Sequence, residues 1–130
     1  MTERITESSV VLFRQVHPER LEADGTPMRV NFEPNSGDGG LMSTIHERAG
    51  AQEAYRRYVA SGRKSAGSWQ FSVGDASSVD LPAIEDGDDA RPDHVSVDFR
   101  RLPPGQSALK QASRKLRSAA VAQGCQYSAE

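Results

Sequence analysis

The sequence predicts an α+β fold: a single mainly antiparallel or mixed sheet of about five strands, with two amphipathic helices packed mainly on one face. Three observations lead there. Short β-branched or alternating runs recur along the chain, and three of them, between Val10 and Ile45, precede any helical pattern. A doubly wound parallel fold would alternate strand and helix regularly, which this order does not. Helical periodicity then occurs twice, once in mid-chain and once near the C-terminal end.

The run from Ser9 to Val16 is too short and too β-branched for a good helix and reads as a strand buried on both faces. Met28, Val30 and Phe32 alternate with Arg29, Asn31 and Glu33, the pattern of a half-buried strand ending at Pro34. The loop from Asn35 to Gly40 is dense in residues that tolerate positive φ, and Leu41 to Ile45 follows as a short strand, a hairpin-like return. Ala51, Ala54, Tyr55, Tyr58 and Val59 fall at helical spacing, with Gln52, Glu53, Arg56 and Arg57 on the other face, so the spacing predicts a helix over 50–61 stopped by Gly62. Trp69, Phe71 and Val73 alternate with Ser68, Gln70 and Ser72 as an aromatic strand. Val95, Val97 and Phe99 repeat that logic, with His94, Ser96 and Asp98 as a solvent-facing polar edge. Pro103, Pro104 and Gly105 break the chain before a helix over 106–123, where Leu109, Ala112, Leu116, Ala119 and Ala120 form a narrow stripe and Gly124 closes the end.

A chain of 130 residues fits one domain, 1–130, with a modest core. Leu, Ile, Val and Phe supply 24 of 130 residues, ~18%, a low share that would signal disorder only if the net charge were large; here it is −2. Residues 1–7 are expected to be a flexible N-terminus. Residues 76–93 are expected to be an acidic loop without regular structure, because Pro82, Gly87 and Pro92 interrupt it and Glu85, Asp86, Asp88 and Asp89 repel one another. Cys125 stands alone, the first residues lack the apolar stretch of a secretory signal, and no run approaches the ~20 apolar residues of a membrane span. The expectation is a cytoplasmic protein without membrane contact.

Several patches resemble a group of small uncharacterised bacterial single-domain proteins: Leu12 to Pro18, Ala54 to Tyr58, Ser65 to Trp69, His94 to Phe99 and Lys115 to Ala120. The similarity spans nearly the whole chain and implies a bacterial single-domain protein. It carries no activity with it.

Arg14, His17, Ser43 and His46 are the residues most open to a chemical reading. Arg14 shares strand parity with Val10, Leu12 and Val16, so its charge lies at a buried face and needs a carboxylate or an anionic ligand; a structural salt bridge is the expectation. Arg14 and Ser43 also resemble the Arg and Ser positions of ADP-ribosyltransferase-like folds, a resemblance implying that Arg14 would hold a nicotinamide dinucleotide. The later Glu that orients the ribose in such folds has no counterpart here; Asp98 is the nearest acid, and it is shorter. His17 precedes Pro18, which holds it extended at the strand end, where it is either a general base or a polar terminus. His94, Ser96 and Asp98 are spaced as any polar strand face is: residues two apart lie about 6.5–7 Å from one another, too far for a nucleophile and its base. The histidines lack a ligand spacing, so neither a metal nor a cofactor is expected.

Charge is segregated. Asp75 to Asp93 holds seven acids and one base, Arg91, whereas Arg100 to Arg117 holds six bases and no acid. Lys110, Arg114 and Arg117, at i, i+4 and i+7, line one helix face as a partner-binding surface. Nucleic acid is one possible partner. Against it stand the negative net charge, aromatic residues placed away from the basic face, and the acidic segment just upstream. The functional expectation is a protein-interaction or accessory module without catalysis of its own, with a protein partner. Its alternatives are a small nucleotide- or nucleic-acid-handling enzyme using Arg14, His17, Ser43 and Asp98, or a nucleic-acid-binding module using the basic helix.

Overall fold

In the computed structural model, which describes residues 2–129, the β-branched run after Ser9 forms a strand that pairs on both sides. The elements in chain order are β1 (Glu3–Arg4), β2 (Val11–Gln15), β3 (Leu41–His46), α1 (Ala51–Ala60), β4 (Ser68–Ser72), α2 (Val73–Ser77), β5 (Ala83–Glu85), β6 (His94–Asp98) and α3 (Gln106–Gln123). The six strands form one antiparallel sheet in the order β1-β5-β6-β3-β2-β4.

Strand alternation separates two faces. Leu12, Met42, Phe71, Val95 and Val97 share the face that builds the main apolar cluster, and Ala112, Leu116 and Ala120 of α3 close over it. Val73 and Ala76 of α2 and the buried Phe32 join the same cluster, so most helical packing lies on this side. Phe32 meets Phe71 edge to face, ring centroids 6.3 Å apart, a geometry that aromatic quadrupoles favour. On the other face, Ser68 Oγ donates to the Ala51 carbonyl at 2.8 Å and docks the start of α1; Phe13 and Ala54 are buried outside the main cluster. The chain after α3 turns at Gly124, with φ of 80°, and returns along β4: Ser68 N donates to Tyr127 O and Gln126 N to Ser68 O. That contact covers part of an edge strand otherwise open to pairing.

Four of the five expected strands are present, and both helices lie where their periodicity places them. The strand expected over 28–33 is instead a 3-10 turn, Arg29–Phe32. Its side chains do not follow a two-residue period: Met28 is 37% exposed while Asn31 is 3% exposed. Asn31 decides the conformation, because its Nδ2 donates to the carbonyls of Arg20 and Met28 and its Oδ1 accepts from His17 N. Such side-chain bonds offer the backbone an alternative to a ladder.

The aromatic strand stops at Ser72, and Val73 opens α2 through a capping box in which Ser72 Oγ accepts from Asp75 N and Asp75 Oδ2 from Ser72 N. The acidic segment 76–93 is likewise not free of regular structure. Leu81 and Ala83 are buried in the core and carry β5 into the sheet beside β6. Within the stretch 1–7, expected to be flexible, Glu3 and Arg4 form β1, pairing with Glu85 and Ile84, and Ile5 N donates to Ala83 O. Neither strand has a periodicity long enough to show in sequence. No helix among the described residues is long and apolar enough to cross a membrane.

Candidate functional site

β2 and β3 pair at only two positions, Leu12↔His46 and Phe13↔Ile45, and beyond them the strands part. Arg14 fills that fork. Its Nε donates to Asn31 O at 2.8 Å, its Nη1 to Ser43 O at 2.9 Å and its Nη2 to Glu33 O at 3.2 Å. The expected carboxylate partner is therefore replaced by three carbonyls, which the splayed strands and the 3-10 turn leave without ladder partners. Burial strips water from the guanidinium and lowers its pKa to about 10, still cationic at neutral pH.

The other residues of the nucleotide-handling alternative are held separately. Ser43 meets Arg14 through its backbone carbonyl, and its side chain lies on the face of Ser96, its register partner on β6. His17 Nδ1 accepts from Glu19 N at 3.0 Å, tying the ring to the turn after β2. His46 Nδ1 likewise accepts from Arg48 N. Asp98 accepts from Arg100 N, Nε and Nη2, and the Arg100 guanidinium holds its carboxyl below the usual carboxylate range. Arg14 sits at the parity of Leu12, whereas the side chains of Ser43 and Asp98 share the opposite face.

His94, Ser96 and Asp98 do not face solvent; every residue from His94 to Phe99 is buried. The chain after β5 folds back so that Asp86 N donates to His94 O, and the Asp86 carboxylate then lies between His94 Nδ1, at 2.7 Å, and Ser96 Oγ, which donates at 2.5 Å. Burial pushes the Asp86 carboxyl up, but the bonds from Ser96 and His94 outweigh it and hold the group below its ordinary value. The connectivity is not that of a nucleophile relay, in which histidine would link serine to the carboxylate. His94 Nε2 is buried with no partner among the described residues. Sequence reasoning missed Asp86 because the contact depends on where the chain returns, not on spacing.

The segment is also held from outside. Arg48 pairs with Glu85 and, at 2.6 Å, with Asp93, while Arg57 of α1 reaches Asp93 at 3.1 Å. Arg48, Glu85 and Asp93 line an open cleft of about 320 Å³ with Glu3, Gly87, Asp88 and Pro92, where Arg48 is the single cation against four carboxylates.

The expected partner-binding residues divide into two roles. Arg117 is a strut: its Nε donates to Pro27 O at 2.7 Å and its Nη2 to Thr26 Oγ1 at 3.2 Å, tying α3 to a small hairpin closed by the Leu21↔Pro27 bridge. Lys110 and Arg114 are exposed, and neither forms an ion pair among the described residues. α1 differs, since Glu53 there holds both Arg56 and Arg57 and its carboxyl is lowered to about 2 by those bonds. Between α3 and the hairpin runs an open groove of about 410 Å³ lined by Glu22, Arg29, Arg114, Arg117 and Ser118. No family model, curated protein or solved structure matches the chain.

Proposed function

We propose that the protein is an interaction module that docks an acidic segment of a partner protein on the basic face of α3. The observation that carries this reading is an 18-residue helix with four cations and no acid, whose Lys110 and Arg114 reach solvent without a counter-ion among the described residues. A protein pays little stability for exposed cations, but their one-sided placement raises local potential and steers oppositely charged partners. The aromatic residues that would stack on bases lie outside α3, most of them in the strands, α1 and the 3-10 turn, which favours an acidic protein segment over a nucleic acid.

The test is reversal of Lys110 and Arg114 to Glu, leaving Arg117 in place because it supports the hairpin. Wild type should bind a ten-residue polyglutamate peptide at low ionic strength, and the double reversal should not, with melting transitions alike. Tighter binding to decathymidylate than to polyglutamate would transfer the face to nucleic acid.

A further inference from the structure

The geometry points to the groove between α3 and the Leu21–Pro27 hairpin as a carboxylate-binding subsite, in which Arg114 closes as a two-pronged clamp on a Glu or Asp side chain of the partner. This rests on the reading of α3 as a docking face and adds where the anion sits and what holds it.

The groove is rich in donors that the protein does not use. Arg29 spends Nη1 on Glu33 and on Ser113 Oγ, leaving Nε and Nη2 without a bond among the described residues. Arg117 spends Nε and Nη2 on the hairpin, leaving Nη1. Arg114 and the Ser118 hydroxyl have no partner among the described residues, and both are exposed. Glu33 pairs with Arg29 and Glu22 lines the groove, so its three arginines leave one net positive charge, on the side of Arg114 and Arg117. A guanidinium matches a carboxylate with two parallel bonds, which a lysine ammonium cannot do.

Two of these arginines are fixed before any ligand arrives. Glu33 and Ser113 position Arg29, and the hairpin positions Arg117, so the walls cost little ordering entropy on binding. Arg114 is the member with no bond among the described residues, and its bonds form with the ligand. Lys110, one turn earlier, does not line the groove and contributes charge alone.

The experiment titrates the whole protein with fluorescein-labelled ten-residue polyglutamate, using Arg114→Lys, Lys110→Arg and Arg114→Glu beside wild type and recording the melting transition of each. Arg114→Lys keeps the charge and loses the fork; it should weaken binding about tenfold, the scale of one charge-assisted hydrogen bond. Lys110→Arg should stay within about twofold of wild type, since a charge outside the groove is unchanged. Wild-type affinity in Arg114→Lys with loss in Arg114→Glu would overturn the clamp while leaving the docking face intact. No polyglutamate binding by wild type, or full binding by Arg114→Glu, would overturn both.

Discussion

Arg14 Nη1 donates to the carbonyl of Ser43 at 2.9 Å, bridging β2 to β3 at the point where their own ladder ends. A side chain here does the work of a backbone hydrogen bond, and it does so three times over, because Asn31 and Glu33 carbonyls share the same guanidinium. A planar group with five donors suits three acceptors in different directions, and a desolvated cation strengthens each bond.

Arg14→Met should therefore cost about 2–4 kcal/mol, since it leaves one buried and two partly buried carbonyls without donors while conserving much of the volume. Arg14→Lys should recover only part of the loss, because one ammonium cannot reach all three oxygens. Urea denaturation measures both; an Arg14→Met midpoint equal to wild type would remove the strut role.

Asp86 makes the stability of the β5–β6 return dependent on pH. Its folded carboxyl lies below the ordinary 3.8, so its contribution is fully present above that value and is lost as pH falls through the folded pKa. Asp86→Asn should be less stable than wild type at neutral pH and should lose less stability on acidification. Melting temperatures between neutral pH and about pH 2 check this; parallel curves for the two proteins would assign the acid sensitivity to other carboxylates, such as Asp93 or Asp98.

Phe71 is 1% exposed and packs against Phe32, and Phe99 is 6% exposed at the end of β6. Truncating either to Ala should cost about 3–5 kcal/mol by lost transfer energy and a residual cavity. For a domain of this size that is a large part of the whole stability, and thermal unfolding should shift down by many degrees or become non-cooperative. An unchanged transition in both variants would place these rings outside the core.

What the sequence determined by itself was whatever depends on neighbours along the chain. The 3.6-residue stripe of Ala112, Leu116 and Ala120, bracketed by Gly105 and Gly124, sets α3 at Gln106–Gln123. The alternation of Trp69 and Phe71, and of Val95 and Val97, sets which face of β4 and β6 meets the core. The α2 start was legible too, since Ser72 and Asp75 have the spacing of a capping box, but the aromatic alternation obscured it. Tertiary structure decided what depends on a partner remote in sequence. Asn31 turned an apparent strand into a 3-10 turn because its side chain found the Arg20 carbonyl, and β5 became a strand only because β6 and β1 flank it. The polar residues of β6 are buried because Asp86 folds over them, although their alternation is what an exposed edge would show. On α3, spacing put Lys110, Arg114 and Arg117 on one face, but only the fold separates the strut, bonded to Pro27, from the two cations left to solvent. Periodicity reports which side of an element a residue occupies; which distant backbone atom waits there is settled by how the elements close on one another.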